Sequence, residues 1–219
     1  MSRLQTGVLV SLSTAFGLLA YFAHRFLYFP IDLRISLWMQ EFKLLLPTMY
    51  AVSLLSSLFP AVGIVASVAI WLGRSKRKLE SILTGSATAI SSLAIVPAIK
   101  LLVDRPRPSP ELVHVMTTSW GEGFPSGHAV YAMVFYGFLF YLTPKLISRP
   151  VLAKALQAFL VVLIGLTMAS RVYLGAHWFS DILGSLFLSG LVLITTIVIY
   201  CHYSSQPKSV LGGQNARAA

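Results

Sequence analysis

Three short segments of the sequence combine ionisable and small residues in patterns that could support chemistry. The first, "KLLVDRPRP", places six residues between Lys100 and Arg107. The second, "GFPSGHA", contains His128 and stands directly before a long apolar run. The third, "SRVYLGAHWFSD", contains His177 and Asp181. Histidine exchanges protons near neutral pH, and cations bind anions, so the three segments together indicate chemistry on an anionic substrate.

The first two segments have the composition of an anion-binding site. Lys100 ends an apolar run, and Pro106 and Pro108 force the following chain out of the helix. The second segment opens the next helix, so the free N–H groups of its first turn and the positive end of its dipole face the same side. Gly127 allows close approach to the backbone there. A helix start beside lysine and arginine side chains predicts an anion site.

The third segment places a carboxylate near a histidine. His177 and Asp181 are four residues apart, so in a helix the carboxylate reaches the imidazole on the same face. A metal pair has the same spacing, but no cysteine cluster or set of carboxylates completes a metal shell. We therefore expect no metal and no cofactor. Taken singly, Lys100 and Arg171 at helix ends are equally well explained as side chains that snorkel to the membrane interface.

The elements that carry these segments are transmembrane helices. The chain has 219 residues, of which 56% are hydrophobic and 11% charged, and its mean hydropathy is +0.77. A helix needs roughly 20 apolar residues to cross the hydrocarbon core. The strands of a transmembrane β-barrel alternate polar and apolar side chains. These runs are apolar at both odd and even positions, which excludes a β-barrel. We predict an all-α integral membrane bundle of six transmembrane helices, from the uncharged stretches 4–23, 44–73, 81–99, 123–144, 155–170 and 182–207.

Two segments outside these spans have their own character. Residues 30–47 mix apolar and charged side chains, which suits a helix lying in the membrane interface or, equally, an exposed connector. Residues 204–219 have too little apolar content to pack, and we expect a polar, disordered tail. The prediction is one transmembrane domain over residues 1–203, with the tail after it.

The distribution of charge predicts the orientation. With six spans, both termini and the loops after the second and fourth helices lie on one side, which carries ten of the 17 basic residues and a single acidic residue, Glu80. The positive-inside tendency places that side in the cytoplasm and the three segments at the extracytoplasmic face of the cell (plasma) membrane. The net charge of +10 is then mostly a topology signal, and no nucleic-acid partner is needed to explain it.

The three segments, in this order, resemble the three motifs of the type 2 phosphatidic acid phosphatase (PAP2) superfamily, and the hydropathy profile is similar to that of its six-helix bacterial members. The motifs span residues 100–181, and the chain before them matches only in its helix pattern. The resemblance implies that His177 attacks phosphorus, that Asp181 is its partner, and that His128 protonates the departing oxygen. It also implies a set of phosphate-binding residues, namely Lys100, Arg107, Ser126, Gly127 and Arg171.

The chemistry of the residues agrees with those roles. Cations and N–H groups stabilise the charge on a phosphoryl group in transfer. Asp181 fixes one tautomer of His177 and favours its positively charged phosphorylated form, while His128 has no carboxylate neighbour in sequence. Arg105 and Glu122 flank the site and are expected to shape its entrance, and Trp178 is expected to anchor the chain at the interface.

The resemblance implies an integral membrane lipid phosphatase of the acid phosphatase type that works through a phosphohistidine. Its substrate would be a lipid such as phosphatidic acid, phosphatidylglycerol phosphate or undecaprenyl diphosphate, and its other partners are membrane lipids. The sequence does not choose among these substrates or indicate an oligomeric state. A lipid phosphotransferase with the same site is the alternative. A non-catalytic phosphate or anion transporter is less favoured, because the charges cluster at one interface rather than at the bilayer midplane.

Overall fold

The computed structural model describes residues 3–117 and 121–205. Over these ranges the regular structure is helical throughout, which confirms the predicted all-α class. Most of the predicted tail, residues 206–219, lies outside the described residues. The helices are α1 (Arg3–Arg25), α2 (Pro30–Gln40), α3 (Leu46–Leu55), α4 (Leu58–Arg74), α5 (Lys78–Ile90), α6 (Val96–Val103), α7 (Gly127–Leu146), α8 (Pro150–Tyr173) and α9 (Phe179–Ser204).

Six membrane crossings result if one bent helix pair counts as a single span. Five helices are long and apolar enough to cross a bilayer by themselves, and the bent pair is Lys43–Leu55 with Leu58–Arg74, at an angle of 59°. The sequence predicted one continuous span over residues 44–73. The break falls at Ser56 and Ser57, whose hydroxyls donate to the carbonyls of Val52 and Leu54. Such local side-chain bonds compete with the helical ladder.

The third span is also irregular. Helices α5 and α6 form one crossing, Lys78–Val103, joined by a π-helical turn at Ser91–Ile95. A π turn inserts an extra residue into the helical register and often lies near a functional site. Lys100 follows this turn on α6. The helix then ends at Asp104, which adopts the left-handed conformation with φ 48°.

Helix α7 forms the centre of the bundle. In its most apolar window 61% of the residues are buried, against 6% for α1. It packs against α8 and α9, and α1 lies at the periphery on α9. The N-terminus of α7, which carries the second sequence segment, is therefore surrounded by other helices.

Helix α2 has a polar buried face and an apolar exposed face. Asp32, Ser36 and Gln40, spaced at four residues, are all buried. Ile31 and Trp38, by contrast, are more than half exposed. This arrangement is the one expected of a helix in the membrane interface, where apolar side chains face lipid. The helix ends at Gln40, earlier than the predicted segment 30–47, and a 3-10 turn follows at Lys43–Leu45.

Candidate active site

The three sequence segments meet at one end of the bundle. Helices α6 and α8 end there, and α7 and α9 begin there. The imidazole of His177 links the segments: its Nε2 lies 3.0 Å from a guanidinium nitrogen of Arg107, and its Nδ1 lies 3.5 Å from Oδ2 of Asp181. The two ring nitrogens therefore face opposite charges.

A tight turn after α8 sets the position of His177. The carbonyl of Arg171 accepts the N–H groups of both Ala176 and His177, at 3.0 and 3.1 Å. Gly175 has φ +67°, and a Cβ there would lie 2.4 Å from the carbonyl oxygen of His114. Only glycine fits this left-handed position and this close contact with the loop of the first segment.

Asp181 lies at the start of α9, and His177 precedes the helix rather than lying on it. The Oδ2 atom of Asp181 accepts the N–H of Trp178 at 2.9 Å, which caps the helix. The carboxylate is fully buried. Burial, followed by the positive charges of Arg107, Lys100 and Arg171, holds the pKa of His177 well below its ordinary value. A neutral imidazole has a lone pair for nucleophilic attack.

Backbone and hydroxyl oxygens hold the cations in place. Arg107 donates to the carbonyls of Gly121 and Ala176, both at 2.7 Å. Lys100 donates to the carbonyl of Glu122. Arg171 donates to the hydroxyl of Ser53 on α3. The oxygens named here are all neutral, so these hydrogen bonds position the cations without cancelling their charge.

The second segment supplies a helix start and a buried hydroxyl. Ser126 is the N-cap of α7, and its N–H donates to the hydroxyl of Ser185 at 2.9 Å. The hydroxyl of Ser126 is buried and has no hydrogen-bond partner among the described residues. Gly127 and His128 form the first turn of α7. A bound anion would satisfy both the hydroxyl and the free N–H groups of this turn.

An apolar cavity adjoins this helix start. It has a volume of about 400 Å³ and lies among α4, α5 and α7, with His128 and Tyr131 in its lining. Most of its remaining lining is small or apolar, including Ala61 and Val65.

Two sequence expectations are wrong. Arg105 was expected at the entrance but is fully buried, 2.5 Å from Asp181 and 3.0 Å from Asp32. Trp178 was expected to anchor the chain at the interface but is 1% exposed, with its ring centroid 5.3 Å from that of Tyr28.

Asp32 is a site neighbour that the sequence reasoning missed. It was treated as one charge of a mixed segment, and the four-residue spacing with Ser36 and Gln40 was the available signal of a buried polar face. Among the described residues, no group of three or more His, Cys, Asp or Glu side chains converges as a metal site.

The fold and the cluster define a class: multi-pass helical membrane proteins with cations and two histidines gathered at one end of the bundle. The family model of the PAP2 superfamily matches residues 82–205, more than half of the chain, and the chain belongs to this superfamily. The matched region contains all three segments, so the predicted family is confirmed.

A solved structure has the same fold. It is the crystal structure of the first transmembrane PAP2 type phosphatidylglycerolphosphate phosphatase from Bacillus subtilis. The TM-score is 0.72 and the sequence identity is 22%, over 89% of this chain and 96% of that chain. No curated protein matches the sequence. The coverage of the structural match is larger than that of the family model, which matches only residues 82–205.

Proposed function

We propose that the protein is an integral membrane lipid phosphatase that forms a phosphohistidine on His177. The observation that carries this proposal is the two-sided environment of the imidazole. Nε2 points to the guanidinium of Arg107, where a phosphate would bind, and Nδ1 points to the carboxylate of Asp181. In histidine catalysis one ring nitrogen reacts while a carboxylate orients the imidazole through the other nitrogen. The surroundings of His177 have this arrangement.

In the first step the site binds the phosphate of the lipid. Its oxygens would contact Lys100, Arg107 and Arg171, with the hydroxyl of Ser126 and the N–H of Gly127 at the start of α7. Nε2 of His177 attacks phosphorus, the bond from phosphorus to the lipid oxygen breaks, and His128 donates a proton to that oxygen. The phosphorylated imidazolium keeps its proton on Nδ1, facing Asp181, which stabilises the positive charge.

In the second step a water molecule attacks the phosphohistidine. His128, now neutral, takes a proton from the water molecule while the water oxygen bonds to phosphorus. The P–N bond breaks, His177 returns to the neutral form, and inorganic phosphate leaves. The same group serves as acid and then as base, which restores the starting protonation states.

The apolar cavity supports a lipid substrate. His128 contributes to its lining, so a hydrocarbon tail in the cavity would lie among apolar side chains while the phosphate occupies the cation cluster. Phosphatidic acid, phosphatidylglycerol phosphate and undecaprenyl diphosphate all have this form. The charge asymmetry of the loops supports a plasma-membrane orientation with cytoplasmic termini and an extracytoplasmic site.

The test is phosphate release by the purified protein from a panel of these lipids in detergent micelles. We expect release with at least one lipid, none from His177→Ala, and wild-type release from His202→Ala at the far end of α9. Release should persist in EDTA, because the cations come from the protein itself. Failure of every lipid, or full activity in His177→Ala, would contradict the proposal. Phosphate appearing on an added alcohol instead of water would identify the phosphotransferase alternative.

A further inference from the structure

A buried ionic network lies directly behind Asp181, and none of the three motifs accounts for it. The guanidinium of Arg105 is 2.5 Å from Oδ1 of Asp181 and 3.0 Å from Oδ2 of Asp32. All three side chains are fully buried. The Arg105 guanidinium also lies 5.2 Å from the ring centroid of Phe29. One cation is therefore shared by two carboxylates, out of contact with water.

Asp32 holds the start of α9 from outside that helix. Its Oδ1 accepts the N–H of Ser180 at 2.8 Å, and its Oδ2 accepts the hydroxyl of Ser180 at 2.7 Å. The same Oδ2 accepts the N–H of Phe29 at the start of α2. The carboxylate thus binds the N-terminal ends of two helices, where negative charge is favoured. Because Ser180 adjoins Asp181, a shift of Asp32 would move Asp181 as well.

The two oxygens of Asp181 have different tasks. Oδ1 accepts a hydrogen bond from Arg105, while Oδ2 accepts one from the N–H of Trp178 and faces Nδ1 of His177. When one carboxylate is the only partner of an arginine, the arginine offsets most of its negative charge. Such a carboxylate attracts a second cation only weakly. Asp32 draws on the same guanidinium, so Asp181 keeps more of its negative charge toward His177.

We infer that Asp32 and Arg105 are positioning residues for the reaction at His177: Arg105 orients the carboxylate of Asp181, and Asp32 offsets the charge of Arg105 so that Asp181 stabilises the phosphorylated imidazolium. This inference rests on the proposed phosphohistidine reaction. Asp32 lies on α2, outside residues 82–205, and thus outside the region that the family model describes.

Asp32 is expected to affect the rate of turnover and not the binding of the phosphate. Asp32 touches Arg105, Ser180 and Phe29, and none of these is a proposed phosphate-binding residue. If an amide replaces the carboxylate of Asp32, Asp181 is the one carboxylate of the network that still offsets the charge of Arg105. Attack by His177 should slow, while the cations that bind the phosphate stay in place.

The experiment compares Asp32→Asn with the wild-type chain in micelles containing short-chain phosphatidic acid. We expect kcat to fall about 10- to 100-fold, as when a hydrogen-bond partner behind a ligating histidine is removed, with KM changed less than about twofold. The matched control is Glu41→Gln, an exposed carboxylate just after α2, which should keep wild-type kcat. If Asp32→Asn does not fold, Ser180→Ala removes one shared hydroxyl, and kcat should fall about fivefold.

A double-mutant cycle with Asp181→Asn identifies the route of the effect. If Asp32 acts through Asp181, adding Asp32→Asn to Asp181→Asn should lower kcat little further. Losses that multiply, a rise in KM instead of a fall in kcat, or wild-type kcat in the folded variant would each overturn the inference. A wild-type chain that releases phosphate from no lipid would instead count against the proposed function.

Discussion

The surroundings of His177 favour the neutral imidazole. The side chain is 2% exposed, and its burial and three cations disfavour the charged form, whereas a backbone hydrogen bond with Gly123 acts in the opposite direction. The carboxylate of Asp181 lies 3.5 Å from Nδ1. The charged form is therefore disfavoured in the free protein. In the proposed mechanism a phosphoryl group on the ring, itself negative, would favour charge on His177 during the reaction rather than before it.

The pH dependence of phosphoenzyme formation follows from this lowered pKa. An ordinary histidine would be half protonated at about pH 6.5, whereas His177 stays neutral below that pH and is protonated only as the pH falls through its lower pKa. We expect the acid limb of the rate to lie below pH 6.5. The measurement is the rate with an aryl phosphate, corrected for the ionisation of the substrate. An acid limb at or above pH 6.5 would contradict this description of the site.

Arg171 provides a second test at this scale. It is buried and donates a hydrogen bond to Ser53, so in the proposed mechanism it would contact the phosphate without water between them. Arg171→Ala should lower kcat/KM about 100- to 1,000-fold, the usual effect of removing one buried donor to a developing charge. Arg149→Ala, an exposed arginine before α8, should leave kcat/KM unchanged. Equal activity in the two variants would remove Arg171 from the site.

The motif residues could be identified from the sequence because their spacing within each segment is local. Lys100, Arg107 and His177 do meet, since helix ends on one side of a small bundle converge. The roles of Arg105 and Asp32 could not be read in the same way. Their ion pair joins residues 73 positions apart and depends on how α2 packs on the start of α9. Nothing in either local sequence specifies that pairing.

At the scale of elements, α2 fastens two of the site loops together. The amide of Gln40 donates to the carbonyls of His114 and Tyr173, at 2.8 and 2.9 Å, and its oxygen accepts the N–H of His114 at 3.0 Å. The loop between α6 and α7, which contains His114, also carries Arg107. The loop that follows Tyr173 at the end of α8 leads to His177. One buried side chain therefore satisfies three backbone groups.

Gln40→Ala should destabilise the protein. Leaving these backbone groups unpaired is expected to lower the free energy of unfolding by about 2 kcal/mol. Chemical denaturation in detergent gives the change, and Gln157→Ala is the matched control. Gln157 makes a 3.2 Å bond to the carbonyl of Phe140, and its loss should cost less than about 1 kcal/mol. Equal stability of the two variants would mean that α2 does not fasten the loops.

The irregular helices mark where sequence patterns lose detail. Hydropathy predicted one continuous span over residues 44–73, whereas the structure has two helices bent by 59° there. The uncharged serines at 56 and 57 did not interrupt the apolar run and so hid the break. The π turn at Ser91–Ile95 was equally invisible, because periodicity over five residues does not distinguish it from an α-helix. The choice between an interfacial helix and a connector at residues 30–47 needed the tertiary structure, which buries one face of α2.

At the scale of the whole molecule, orientation in the membrane is open to direct test. With Cys201 replaced by serine, a cysteine at the exposed position 75 should not react with an impermeant thiol reagent in intact cells, because the loop "RSKRK" is proposed to be cytoplasmic. Glu111→Cys, exposed in the loop before α7, should react. Labelling at position 75 and protection at position 111 would reverse the proposed topology.

The central claim is that His177 carries the phosphoryl group, and trapping the phosphoenzyme tests it most directly. An aryl phosphate needs little protonation to leave, so His128→Ala should still be phosphorylated but should stall before attack by water. We predict labelled phosphate on His177 in that variant, labile in acid and resistant to alkali, and none in His177→Ala. Label retained by His177→Ala, or label bound to a serine such as Ser126, would contradict the account.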